Sequence, residues 1–189
     1  MPPKAKFTRE DLVSAAFDLV REQGMEALTA RALAARLGTS PKPIFGLFSS
    51  MEELQEAVIQ KAQALFSERI GREMAEGRFP PYKASGMAYI RFAQEERALF
   101  RLLYMRDRSG EPPMGENPNT ALMIQLIQKG TGLSREDAWL LHLETWIFVH
   151  GIATMIATSY LEWEEEFVSR ALTDLYEGLK TRFRKENDQ

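Results

Sequence analysis

Read as a succession of apolar and polar positions, the chain is helical from end to end. Leu12, Val13, Ala16, Phe17 and Val20 recur at helical spacing between Thr8-x-x-Asp11, a capping-box variant, and Gly24. A second helix runs from about Ala30 to Leu37 behind Thr29 as its cap, with Leu33, Ala34 and Leu37 on one face, and stops at Gly38. Gly38-Thr39 makes a turn. Ser40 is placed as an N-cap and Pro41 as the first residue of a third, very short helix reaching about Leu47. Its apolar side is Ile44, Phe45, Leu47 and Phe48, and Phe17, Val20, Leu28, Leu33, Leu37, Ile44 and Phe48 are the expected shared core.

Beyond this point the elements lengthen. Ser50-x-x-Glu53 opens a helix to about Glu76, stopped by Gly77 and Pro80-Pro81. Helices follow over Pro81–Glu95 and Arg97–Arg106, then a segment, Asp107 to Asn119, whose Gly, Pro and acidic residues read as a disordered loop. Asn117-Pro118 starts a helix ending by Gly130, Ser134-x-x-Asp137 starts one reaching about Leu161, and a last one fills Glu164 to about Arg184. No segment alternates with the period of a strand. The expectation is an all-α protein of about nine helices: a head, residues 1–51, and a larger body, residues 52–189.

Two helices joined by a tight glycine turn form a helix-turn-helix whose second helix can enter a DNA major groove; the plainer alternative is an ordinary corner between packed helices. Charge favours the first. The net charge is −3, but residues 1–51 hold seven Lys/Arg against five acids, and the remainder holds 17 against 22. A basic head on an acidic body suits phosphate attraction. The absence of cysteine excludes disulfides, zinc-thiolate sites and thiol nucleophiles. His142 and His150 lie about 80° apart around one helix, poor spacing for a metal, so no metal or cofactor is expected. The short basic N-terminus has no apolar core of the signal-peptide kind, and a cytoplasmic protein is the default. Trp146 to Leu161 is a run of 16 uncharged residues, short of the ~20 that span a membrane. A helix apolar on nearly every face must be covered by protein, and a second subunit is the natural cover.

The ordered set AAFDLVREQG, ALTARALAARLGTS, the pair Ile44-Phe45, Phe48 and Ser-x-Glu-Glu-Leu over Thr8 to Leu54 resembles the TetR-type bacterial transcription repressors. Trp146, His150 and Gly151 in WIFVHG resemble the Trp…His-Gly stretch of one class of that family's ligand-binding domains. The resemblance implies an Ω-shaped homodimer with its heads on an operator in double-stranded DNA. It also implies C-terminal domains that hold a small-molecule pocket and dimerise through the last two helices. Phe45, Leu47 and Met51 stand where the family usually carries Tyr, His and Lys, which either removes phosphate contacts or marks a subclass that holds the phosphate with Ser49, Ser50 and helix amides.

On the DNA side the candidates are Thr29, Arg31, Ser40, Pro41, Lys42, Pro43, Phe45, Gly46, Ser49 and Ser50, with Lys4 and Lys6 on a mobile arm of residues 1–7. Lys42 is the one long donor at the tip of the third helix and can reach guanine O6/N7, or else a phosphate; Arg31 is the second base-reading candidate. For an apolar effector the expected lining is Phe66, Met87, Phe92, Phe100, Leu103, Tyr104, Met123, Trp146, His150 and Met155, on faces expected to lack Arg and Lys. Gly151, Thr154, Thr158, Val168, Leu172, Leu175, Leu179 and Phe183 are the expected dimer interface. Two other function classes stay open: an enzyme with His150 as base beside Glu144 or Glu162, and an interaction module that keeps the fold but binds DNA weakly.

Overall fold

The computed structural model describes residues 7–111 and 118–187. Lys4, Lys6 and most of the expected arm, with residues 112–117 of the expected loop, lie outside the described residues. Among those described there are nine α-helices, one 3-10 turn and no strand. The helices are α1 (Arg9–Gln23), α2 (Ala30–Arg36), α3 (Lys42–Phe45), α4 (Met51–Glu76), α5 (Pro81–Glu95), α6 (Arg97–Tyr104), α7 (Pro118–Thr131), α8 (Arg135–Ala157) and α9 (Glu165–Asn187). The 3-10 turn, Met25–Ala27, fills the α1–α2 connection.

The helices begin where capping chemistry satisfies the first orphan N–H groups. Thr8 and Asp11 cap each other's backbone at 3.1 and 2.8 Å. Thr29 Oγ1 accepts from Ala32 N at 3.1 Å, and Ser134 Oγ from Asp137 N at 3.0 Å. Three boundaries differ from expectation. Ser40 does not cap α3: Pro41, already in αR geometry, holds the N-cap position without a side-chain hydrogen bond. Leu37 is half-buried rather than core, because it has become the C-cap of α2. Helix α8 ends at Ala157, short of Leu161: Thr158 Oγ1 turns back to the Thr154 carbonyl at 2.8 Å, and Ser159 follows at φ 58°.

The chain divides into two compact units, Met1–Ser67 with Glu96–Arg106, and Glu68–Glu95 with Asp107–Gln189. In the first, α1 supplies Leu12, Ala16, Phe17, Leu19 and Val20 to a core completed by Leu28, Leu33, Ile44 and Phe48 and by Leu54, Val58 and Ala62 of α4. Helix α6 packs on α1, adding buried Leu99, Phe100 and Leu103. In the second unit α8 is the central element, against α5, α7 and α9. Gly86 of α5 faces Leu172 of α9 and Val149 of α8, which a Cβ at that position would meet at 3.5 and 3.6 Å, ordinary packing distances. Nine residues of α8, from Ala138 to Ala157, are buried within this unit, and its other face is exposed.

Candidate nucleic-acid interface

The helix-turn-helix is built from α2, α3 and the turn between them. Gly38 takes φ 60°, conformational space that only glycine enters without strain, and Thr39 N reaches back to the Ala34 carbonyl at 2.9 Å. A four-residue helix has almost no stability of its own. What holds α3 is Ile44, fully buried, with Phe48 just beyond it at 2 % exposure. The rest of α3 is turned outward: Pro41, Lys42, Phe45 and Gly46 are exposed, Pro43 is half-buried, and Phe45 shows 53 % of its surface. Thr29, Arg31, Ser40 and Ser49 are also exposed, and Ser50 and Met51 half-buried.

The cations of the head separate into two groups. Arg9 donates to the Leu47 carbonyl at 2.9 Å, pairs with Glu53 at 2.7 Å and lies 4.0 Å over the Phe48 ring. Arg21 forks onto the buried Glu96 carboxylate, which raises its pKa, and Arg36 forks onto Glu22 with both bonds at 2.7 Å. These three arginines fasten helices together. Arg31 and Lys42 form no ion pair and no side-chain hydrogen bond among the described residues, and both face solvent at the start of the two motif helices. Cations left unpaired at a helix-turn-helix tip are available to phosphates and base edges.

The α3–α4 junction carries a feature the sequence did not disclose. Glu53 was expected to close a capping box on Ser50. Ser50 Oγ does accept from Glu53 N at 3.3 Å, but the Glu53 carboxylate accepts from Ser49, N–H and hydroxyl each at 2.7 Å. The Ser49 hydroxyl and amide, with Arg9, hold this carboxyl near a pKa of about 2. The Ser49 donors named for a phosphate are therefore occupied by an internal anion. The clue in sequence was the adjacent serine pair, either of which can serve Glu53.

The residues named for an effector divide between the units. Phe66, Phe100, Leu103 and Tyr104 belong to the first, with Tyr104 against Phe66 and Phe100 at 5.6 and 5.0 Å between ring centres. Met87, Phe92, Met123, Trp146, His150 and Met155 belong to the second. Trp146 stacks on His150 at 5.0 Å, and Tyr89 Oη meets His150 Nδ1 at 2.9 Å. One turn-pair away the arrangement recurs: Tyr82 Oη meets His142 Nδ1 at 3.1 Å, beside Trp139 at 6.4 Å. Burial pushes the His142 pKa down to about 4, and burial with the Arg108 charge lowers that of His150. The expectation that these faces lack arginine is corrected: the Arg69 guanidinium lies 5.8 Å over Phe92, in a setting shared with Arg91. The described residues contain no group of His, Asp and Glu able to hold a metal ion.

Part of the expected dimer stripe packs inside the single chain. Val168, Leu172, Leu179 and Phe183 are buried within the single chain. Leu179 and Phe183 join Ile124, Ile127 and Leu141 in one core cluster, and half-buried Leu175 packs against it. The outward face of α8 instead carries Leu140, Ile147 (58 % exposed) and Thr158, with half-buried Gly151 and Thr154, and α9 offers Phe167. A Cβ on Gly151 or Gly178 would meet nothing within 4 Å.

A compact three-helix head presenting unpaired cations on a helix-turn-helix, carried by a larger helical body, defines a helix-turn-helix transcriptional regulator. Two family profiles match: "Bacterial regulatory proteins, tetR family" over residues 12–58, and "Tetracyclin repressor-like, C-terminal domain" over residues 82–177. The chain belongs to the TetR family of bacterial transcriptional regulators. An uncharacterized HTH-type transcriptional regulator of Mycobacterium tuberculosis is 25% identical over 163 residues, covering 84% of this chain and 74% of the relative. A TetR-like transcriptional regulator from Rhodococcus sp. RHA1 shares the fold at a TM-score of 0.65 and 20% identity, over 96% of this chain and 97% of the other. The ketosteroid transcriptional regulator KstR2 of Mycobacterium tuberculosis does so at 0.55 and 14%, over 93% and 96%.

Proposed function

We propose that the protein is a cytoplasmic homodimeric repressor that grips an inverted-repeat operator and is released by a small, largely apolar molecule. The observation that carries the DNA half is the segregation of charge in the head: three arginines are consumed in internal pairs, while Arg31 and Lys42 have no ion-pair partner among the described residues and stand on the exposed edge of α2 and α3. Lys42 is the base reader, with Arg31 beside it, and Thr29, Ser40 and the N-terminal Lys4 and Lys6 contribute sequence-independent grip. The proline rings at 41 and 43 and the exposed Phe45 ring offer apolar contact to thymine methyls.

Dimerisation uses the outward face of α8 and α9, through Leu140, Ile147, Gly151, Thr154 and Phe167. Glycines with open space beside them let a second helix approach closely, and exposed apolar side chains give it area to cover. The effector site lies in the second unit, where Met87, Met123 and Met155 supply adaptable apolar surface and the Tyr89–His150–Trp146 group a polar edge. A fold shared with a ketosteroid regulator is compatible with a ligand of that apolar kind. Helix α4 runs unbroken from one unit into the other, so a ligand that shifts it changes the separation of two recognition helices. A ligand favouring the DNA-free form 100-fold shifts the balance by about 2.7 kcal/mol per site.

A second reading, an interaction module of the same fold with weak DNA binding, is favoured by Phe45, Met51 and the Glu53 carboxylate on Ser49. Fluorescence anisotropy of a labelled duplex across salt concentrations separates the two. The repressor gives specific binding that falls steeply with salt. The module gives none above background. Apolar compounds found by thermal shift are then added to the complex. Hits that stabilise the protein yet leave DNA affinity unchanged keep the pocket and remove the switch.

A further inference from the structure

The outward face of α3 offers a base edge one cation and one aromatic ring. Of the large apolar side chains described in the first unit, Phe45 is the most exposed, at 53%, whereas Phe17 and Phe48 of the same head are buried. Core packing does not account for its ring. Lys42 and Phe45 stand three residues apart on α3 and are both exposed, so they are neighbours on one face. Ile44 is fully buried and fixes which way that face points. Pro41 and Pro43 flank Lys42 and have no N–H to offer a base. Gly46 follows the ring in ordinary helical geometry, φ −81°, so the backbone does not demand glycine there. A Cβ at Gly46 would meet the carbonyls of Pro43 and Lys42, at 3.4 and 3.8 Å, and nothing else within 4 Å. The glycine leaves the flank of the ring clear.

These two side chains read different features of a major-groove edge. The Lys42 ammonium has no ion-pair partner among the described residues and can donate to guanine O6 and N7. The Phe45 ring forms no conventional hydrogen bond. The apolar feature on a major-groove edge is the methyl group at C5 of a pyrimidine. Thymine carries it, uracil and cytosine do not, and 5-methylcytosine carries it at the same ring position. Side chains three apart on a helix are about 5–6 Å apart at Cβ, and neighbouring bases are about 3.4 Å apart along a strand. Cation and ring therefore reach adjacent bases.

We propose that α3 reads a two-base step, a guanine with a 5-methylpyrimidine beside it, and that Phe45 supplies the methyl half of this readout. Thymine and 5-methylcytosine are then equivalent at that position, and methylation of a cytosine beside the guanine strengthens binding. Phe45 can play this part only in a protein that binds an operator, so the proposal rests on the repressor reading, and the two fail differently. A protein that enriches no duplex loses both. One that binds a duplex without regard to the 5-methyl group loses this one alone.

The test uses the full-length protein and a duplex it enriches from a randomised pool, resynthesised with deoxyuridine in place of each thymine in turn, in both half-sites. Anisotropy titration should find a position beside a guanine where uracil weakens binding about fourfold per half-site, the value of one buried apolar carbon, and so about fifteenfold for the symmetric duplex. At that position 5-methylcytosine, paired with guanine, should bind more tightly than cytosine by the same factor. Phe45→Ala should bind the thymine and uracil duplexes alike, with its melting temperature unchanged because the ring is exposed. Phe45→Leu, which keeps an apolar side chain, should retain part of the difference. A ring that only touches sugar and phosphate would give a different pattern, with Phe45→Ala weakening all duplexes and uracil costing the wild type nothing. A flat uracil scan overturns the proposal. So does a penalty confined to thymines with no guanine beside them, or one undiminished in Phe45→Ala.

Discussion

At the scale of single residues, the difference between a fastening cation and an available one decides what each arginine does. Arg21→Ala removes one partner of a Glu96 carboxylate that is almost wholly buried. It should cost about 1–3 kcal/mol of stability, read as a lower urea midpoint, with base preference unchanged. Lys42→Ala should leave stability within about 0.5 kcal/mol and relax base preference by roughly 1–3 kcal/mol per half-site. Equal losses on specific and random duplexes would demote Lys42 to a phosphate contact. His142 sets a pH dependence of its own. Its folded pKa of about 4 lies below the ordinary 6.5, so between these values the unfolded chain binds the extra proton. Stability is therefore intact above about pH 6.5 and falls as the pH drops towards 4, by about 3 kcal/mol in all. His142→Gln should flatten that part of the stability profile; an unchanged slope between pH 6.5 and 4.5 would assign it to the carboxylates.

At the scale of elements, capping chemistry was the most legible signal. Thr8, Thr29 and Ser134 start helices where their spacing to an acid or an apolar run predicts, and Pro81–Glu95 appears with both ends as expected. The misses share a cause: a local rule was overridden by what packs nearby. Ser40 loses its cap because proline geometry starts α3 unaided, and Glu53 prefers the serine that also brings it to Arg9. The α9 stripe was read correctly as apolar, but periodicity does not say which surface a stripe meets. It meets the chain's own core at Leu179 and Phe183. A charge at Leu175 would thus test folding, and the dimer is better probed from α8. Gly151→Phe adds a ring where one chain has open space, so helicity should persist while sedimentation shows a monomer. A wild-type chain that is itself monomeric at micromolar concentration would refute the α8–α9 dimer. Helix α3 is held by the fully buried Ile44: Ile44→Ala should cost about 2–5 kcal/mol and abolish DNA binding by melting the head.

At the scale of the whole molecule, the all-helical class and the helix-turn-helix head followed from the sequence because they rest on local patterns. The packing of α6 on α1 did not. Helix α6 joins the first unit through contacts with α1 across some 75 residues of chain, as in the Arg21–Glu96 pair, and nothing in its own composition announces a partner so distant. The central claim is that two such chains read one inverted repeat through α3. Selection of bound duplexes from a randomised pool, with the protein-to-DNA stoichiometry measured on the enriched sequence, tests it most directly. The expected result is an inverted repeat with half-sites about one helical turn or a multiple apart, two chains per repeat, and loss of the enrichment with Lys42→Ala. Failure of the wild-type protein to enrich any duplex at low salt, or an enriched site without two-fold symmetry that binds one chain, would contradict it.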